Sequence, residues 1–539
     1  MKKVFVLMAA LVLLASCGGS GDDQVEYLAF RNGEGLWGLV APNGKVLFEG
    51  KFKNKPSLVL HGVFSVKNEE GFYEVYTAEA EPQRVGDAYV ALGDFFEGVA
   101  PAVPELGYIR YIDTKGKVAF DLKEIDGKPV NAASSFHDGH AWFKQGDKMG
   151  YIDRSGKVAV SAVYKDANHF HDGRAVVTDT LGRWQVIDHN GKRIFGKDEV
   201  GGRPVRYEDY NDIGYSEGLL PVMNAFRELQ LYDKDGKPVG EAIPFSAIQS
   251  FQNGVAVISY RNKQALVDKE GGHASEAAYQ RIYSNGHLRY ALENYRSNAF
   301  RLDSEGKRTG DEEYTTVSLY PSFVKDCDKY LVVRDLKGRG CVVEASGGKE
   351  VAECQPGIDF EFGRRAAVVS QFVDTDKLLS LLDISADGFG GAKMNLSAAD
   401  IAKAWGISAE GYTRPDFLAS GKETPEAGLY CDAQFDDFFL TETTPPAFSQ
   451  SLKPSELNAT LTLYNASQPM CVGLYKAVVK HLLKLCGEDP ENHPIYSTVE
   501  ETFYPPSGHT LYVSRHNNVF EFRMWDEGDG DYGAGDDMM

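Results

Sequence analysis

Tryptophan and cysteine are scarce in this 539-residue chain, five and seven residues, and basic residues are outnumbered, 57 Lys and Arg against 78 Asp and Glu. So few cysteines exclude a disulfide-stapled scaffold. A formal net charge of −21 argues against binding to nucleic acid and against direct adhesion to anionic lipid. Beyond the N-terminal segment no apolar run approaches the ~20 residues that a membrane-spanning helix needs. The marks of common chemistries are missing too: there is no Gly-x-Ser-x-Gly elbow, phosphate loop, His-Glu-x-x-His helix or dinucleotide fingerprint. Carboxylates are so abundant that no acid–base pair can be singled out among them.

What the chain has is a recurring turn, an Asp, two residues, then Gly-Lys: Asp113 with Gly116, Asp153 with Gly156, Asp188 with Gly191 and Asp233 with Gly236. Gly44, Gly271 and Gly306 hold the same place, with Gly348 and Gly388 as weaker members, and most separations fall between 35 and 45 residues. A period of that size means one supersecondary unit per repeat, stacked on its neighbours. A second signal runs in phase, an aromatic shortly before a glycine: Phe96 with Gly98, Phe136 with Gly139, Phe170 with Gly173, Tyr215 with Gly218, Phe251 with Gly254 and Tyr283 with Gly286. Between the two lie short runs rich in Val, Ile, Tyr and Phe, which read as strands of an antiparallel meander. One meander cannot bury its own faces. About ten units are therefore expected to pack on one another, as a β-propeller in preference to a β-solenoid.

These residues resemble the bacterial WG β-repeat family. The nearest match is Leu36-Trp37-Gly38-Leu39-Val40 with Gly44-Lys45-Val46, and Met149-Gly150-Tyr151-Ile152-Asp153 is the next. The resemblance covers roughly residues 26–384 and implies repeats of β-meanders. It implies no catalytic residue, because none belongs to the family motif.

The N-terminus reads as an export signal: Lys2 and Lys3, an apolar stretch over residues 4–14, then Leu14-Ala15-Ser16-Cys17. Small residues directly before a cysteine look like a lipobox, so residues 1–17 are expected to be a lipoprotein signal with acylation at Cys17. Residues 18–25 then form an acidic tether, 26–388 the repeat domain, 393–525 a small α+β domain and 526–539 an acidic disordered tail. The boundary is placed at the glycine-rich residues 385–393. In the α+β domain Ser397 and Asp400 have capping-box spacing, and residues 472–486 form an amphipathic helix.

Each candidate for chemistry has a plainer reading. His137, His140, His169 and His171 have spacing that could suit a metal, yet His137 and His171 occupy a turn slot filled elsewhere by Glu97, Ser216 or Gln252, so no metal site is expected. Asp233-Lys234-Asp235-Gly236 opens like a calcium loop, but position 242 is Ala rather than the required Glu. The repeated Asp and Gly residues read as turn-formers. Cys341 and Cys354 flank a Gly347-Gly348 turn and are expected to stand opposite each other as a disulfide. The long stretch at residues 197–211 reads as a binding loop whose removal would spare the fold. No cofactor is expected. The function expected is a non-catalytic binding or scaffold protein, lipid-anchored at the outer membrane with the cell surface favoured, with a protein partner or a glycan as ligand and no nucleic acid. Glycan processing and a purely structural envelope role are the alternatives.

Overall fold

In the computed structural model the described residues are 23–104, 107–209, 213–243, 247–260, 262–272, 279–360, 367–370, 375–406, 417–424, 427–434, 453–464, 468–490 and 499–526. Cys17, the lipobox and most of the acidic tail lie outside them. The chain divides into two units, residues 1–104 with 108–370, and residues 105–107 with 371–539. The boundary expected at residue 388 therefore lies inside the second unit.

Among the described residues the first unit has nine antiparallel sheets of three or more strands in chain order, each with neighbouring strands paired consecutively, and a two-stranded ribbon, Glu124–Ile125 with Lys128–Pro129, between the third and the fourth. The third is representative: Ala91–Leu92, Val99–Val103, Ile109–Asp113 and Val118–Leu122. Each sheet shares a buried core with the next. Tyr111, Phe136 and Phe143 fill the space between the third and fourth, and Tyr151, Phe170 and Val177 that between the fourth and fifth. The ninth sheet closes onto the first, because Val332 and Val342 share a core with Leu28, Phe30 and Val40. Tyr320 donates its hydroxyl proton to the Pro42 carbonyl at 3.0 Å across the same seam. Nine sheets packed face to face in a closed ring make a β-propeller.

Three expectations need correction here. Gly388 is not a tenth repeat; it begins the two-residue strand Gly388–Phe389 in the second unit. The tether is docked by residue 23, since Asp23 contacts His61 and Val25 is buried in a parallel bridge to Val324. Of the stretch 197–211 the described part, residues 197–209, is structural: it holds the strand Arg203–Pro204 and the fully buried Tyr207, whose hydroxyl donates to the Leu219 carbonyl at 2.8 Å. Its removal would open the core between the sixth and seventh sheets.

After the ninth sheet the chain returns to the fourth, where the strand Ala367–Val369 pairs with Ala132–Ser134 as a fifth strand.

The second unit is a six-stranded antiparallel sheet with helices Thr375–Leu382, Ala398–Trp405 and Gln468–Leu485. Ser397 caps the second helix by accepting the Asp400 N–H at 3.2 Å. The third ends in a Schellman turn, with Glu488 N–H donating to Leu483 and Gly487 N–H to Lys484. Strict alternation in the strand Glu456–Leu463 sends Leu457, Ala459, Leu461 and Leu463 into the core shared with the helices. The alternate residues form a polar outer face.

Candidate functional site

The repeated turns come first, because they carry most of the patterned charge. In the third-to-fourth-strand turn, Asp113 Oδ1 accepts the N–H of Lys115 and of Lys117, both at 2.9 Å. Asp153, Asp188 and Asp233 repeat the arrangement on residues two and four ahead. The glycine that follows has φ of +74°, +78°, +75° and +81° at Gly116, Gly156, Gly191 and Gly236. A side chain there is unfavourable.

The first-to-second-strand turn places two residues at positive φ, as at Glu97 and Gly98, Asp138 and Gly139, Asp172 and Gly173, Glu217 and Gly218, and Asn253 and Gly254. Its acidic residue reaches across to the next sheet. Gly139 N–H donates to Glu97 at 3.0 Å, Gly173 to Asp138 at 2.5 Å, Gly218 to Asp172 at 2.7 Å and Gly254 to Glu217 at 3.0 Å. Asp23 extends the relay backwards by accepting the Glu97 N–H at 2.6 Å. Bases from the Asp-x-x-Gly turns of the following sheet complete it: Arg154 on Glu97 at 2.9 Å, His189 on Asp138 at 3.1 Å and Lys269 on Glu217 at 3.6 Å. His189, and then the Gly173 N–H, hold the Asp138 carboxyl below its usual range against the opposing effect of burial. At four places a turn of one kind thus touches a turn of the other in the neighbouring sheet, Arg174 donating to the Lys234 carbonyl at 3.1 Å at the fourth of them, which keeps the two signals in phase there.

The histidines sit at the fourth and fifth sheets of this face and pack on one another. His169 is buried, and the rings of His137 and His169 approach to 4.4 Å, with His171 at 5.9 and 6.5 Å from them. The turns pack sideways on one another around the ring, so a bulky residue in the slot meets its neighbour. His140 stacks on His189 at 4.4 Å, and burial lowers its pKa. Among the described residues no group of three or more His, Cys, Asp or Glu is arranged to hold a metal.

The expected disulfide geometry is also corrected. Cys341 stands opposite Glu353, and Cys354 donates its backbone N–H to the Gly340 carbonyl at 3.1 Å. The hairpin closes on Glu344 and Lys349, with four residues in the turn in place of two, which sets the register two residues off, and a β-bulge between Val342 and Val343 restores only one of them; an equivalent bulge recurs in the third-to-fourth-strand pairing of the third, fourth, fifth, sixth and eighth sheets. An extra residue on one strand moves every later pair by one. Both cysteines are free thiols, as are Cys327, Cys431, Cys471 and Cys486. Burial pushes the Cys327 thiol up to about 11 and the Cys431 thiol to about 12, so these are poor nucleophiles.

In the second unit the outer sheet face carries a cavity of about 480 Å³ lined by Glu456, Tyr512, Ser514, Glu521, Arg523 and Trp525. Tyr512 donates to Glu500 at 2.6 Å, and Arg523 lies across the ladder from both Asn458 and Tyr512. Glu456 faces Trp525, whereas Glu521 faces Thr460, four residues further along. At ~3.4 Å per residue the two carboxylates are rooted about 13 Å apart. The surface offers aromatic, acidic and guanidinium groups side by side. No motif marks it, because a strand's outer face shows only as alternation.

The first unit, on its topology, is a β-propeller. The model of a family described as "WG containing repeat" matches residues 109–148 and 149–180, so this part of the first unit is similar to the repeats of that family. Each matched segment starts on the third strand of one sheet and runs into the next, so a sequence repeat straddles two sheets. No curated protein matches. Among solved structures, BamB from Moraxella catarrhalis is 9% identical over 52% of this chain and 88% of its own, with a TM-score of 0.30. YCF48 bound to D1 peptide is 11% identical over 44% and 88%, TM-score 0.26, and the WD40 propeller domain of Doa1 is 13% identical over 47% and 94%, TM-score 0.23.

Proposed function

We propose that this is a lipid-anchored envelope protein whose propeller serves as a non-catalytic binding scaffold, with an exported protein as its partner. The observation that carries the reading is the turn relay. Its repeated carboxylates are each engaged by a neighbouring glycine N–H and, at three of them, by a base, which leaves them structural. A second reading, glycan binding by the outer sheet face of the second unit, is favoured by Trp525 and Tyr512 beside Arg523 in the open cavity.

Anchoring is tested with Cys17→Ala, which is expected to move the protein from the detergent-soluble membrane fraction to an unprocessed or soluble form. Identical partitioning of the two proteins removes the anchor from the proposal. Crosslinking the full chain in its own envelope separates the binding readings by whether protein or glycan is captured. Turnover of an envelope polymer by the purified chain replaces both with an enzyme.

A further inference from the structure

The hairpins that join the second strand of each sheet to the third lie on the face opposite the carboxylate relay, because successive antiparallel strands reverse direction. Four of them end in a large apolar side chain standing in solvent: Leu181 in the fifth sheet, 75% exposed, Phe226 in the sixth, 85%, Tyr295 in the eighth, 80%, and Leu336 in the ninth, 65%. These are the most exposed of the large apolar residues described in the first unit.

The tips are built alike. Each follows an Asx residue whose Oδ1 accepts a backbone N–H of the turn: Asp179 from Leu181, Asn224 from Phe226, Asn294 from Arg296 and Asp335 from Lys337, all at 2.9 Å. The Asx turns fix the tip backbones, and at the measured exposures the side chains project outward. A basic residue follows each within two positions, namely Arg183, Arg227, Arg296 and Lys337; all four are exposed, and Arg183 is ion-paired with Asp179 at 2.9 Å and Asp198 at 3.5 Å. The equivalent tips of the first, second and fourth sheets are acidic, with Glu34, Glu69 and Glu70, and Asp147, while that of the seventh, between the sixth and the eighth, carries Asn262. The apolar and basic tips therefore occupy one arc, and the net charge of the whole chain does not describe it.

Packed sheets stand ~10 Å apart, so tips from the fifth to the ninth sheet spread over about 40 Å. A protein interface concentrates its apolar groups in one contiguous core within a polar rim. Single apolar tips at separate hairpins do not form such a core. They fit a surface that admits each independently, and an apolar side chain beside a cation suits the boundary between headgroups and acyl chains, with the cation remaining at the phosphates.

We propose that this arc seats the propeller on a phospholipid surface, with Leu181, Phe226, Tyr295 and Leu336 entering the headgroup boundary. The test uses the full chain carrying Cys17→Ser, so that acylation contributes nothing. It is mixed with vesicles of phosphatidylethanolamine and a minority of phosphatidylglycerol, with or without bromine on the acyl chains. A tryptophan is added at a tip, as Phe226→Trp or Tyr295→Trp, or at an acidic tip, as Glu34→Trp, and read against the parent protein. Added emission from positions 226 and 295 is expected to shift to the blue and to be quenched by brominated lipid several-fold more than that from position 34. Because the comparison is between positions, it holds whatever else tethers the chain. Equal quenching at the three positions overturns the proposal. So does protection of positions 226 and 295 from aqueous iodide without quenching by brominated lipid, which assigns the arc to a second copy of the chain.

Discussion

Replacing Gly116 by valine is expected to destabilise the propeller by about 2–5 kcal/mol, whereas the same change at Gly139 costs about 1–2 kcal/mol. Both glycines have φ near +75°, +74° and +76°. Backbone strain from a side chain is therefore common to the two. They differ in what a Cβ meets. At Gly139 nothing lies within 4 Å, while at Gly116 the new atom falls 2.5 Å from the Gly86 Cα in the second sheet. Gly86 is itself at φ +67°, and its own Cβ would fall 2.8 Å from the Gly116 Cα. No side chain there can swing away, so the second and third sheets must part. Overpacking of that kind typically adds ~1–3 kcal/mol to the strain. Once the sheets have separated, Gly86→Ala should cost less in the Gly116→Val background than alone. Denaturant unfolding of the single and double variants measures this. Equal losses at Gly116 and Gly139 would show that the close backbone approach contributes nothing.

This pair also shows why the repeat was legible in the sequence. A residue is visible as a pattern when every copy of the unit needs it for the same local reason. The Asp and Gly of the third-to-fourth-strand turn qualify, since the turn geometry is set within five residues. The acidic position before Gly139, Gly173 and Gly218 qualifies in part, but Ser, Gln and His enter the neighbouring slot, so the contact across sheets stayed hidden. The base after each turn Asp (Arg154, His189, Lys269) was hidden for a similar reason, because three different side chains serve one purpose.

The failures have equally local causes. Gly388 shares only a glycine with the repeat, and its two-residue strands belong to another core. The Cys341 pairing failed at the turn, which takes four residues in place of two, and the bulge between Val342 and Val343 recovers only one of the two residues of offset, because register is a sum over every residue between two positions. Residues 197–211 looked like a loop because the inner strand there is two residues long. The exposed tips were invisible for the opposite reason. Leu181 and Phe226 fall between the strand runs, where a single apolar residue in a polar break carries no period.

Val368→Asp is expected to cost the propeller about 2–5 kcal/mol, while Val369→Asp stays within ~0.5 kcal/mol. The two are neighbours on the strand Ala367–Val369 and point to opposite sides of it, Val368 being 4% exposed and Val369 59%. Val368 lies in the core between the third and fourth sheets, opposite Ala133 in the ladder, and Ser370 N–H closes the pairing on the Asn131 carbonyl at 2.7 Å. A carboxylate held in that core without a partner would cost more than the strand contributes, so the strand leaves instead. Its release caps the loss at the burial of one valine, ~1.5–3 kcal/mol, and a few ladder hydrogen bonds at ~1 kcal/mol each. Amide exchange should then lose protection at residues 367–370 and at the facing Ala132–Ser134, with the outer strands of the fourth sheet unchanged. If protection instead falls evenly through the sheet, the returning strand is integral to the fourth sheet. Local loss identifies a detachable cover over its inner edge, and an uncovered edge is a place where another extended segment can pair.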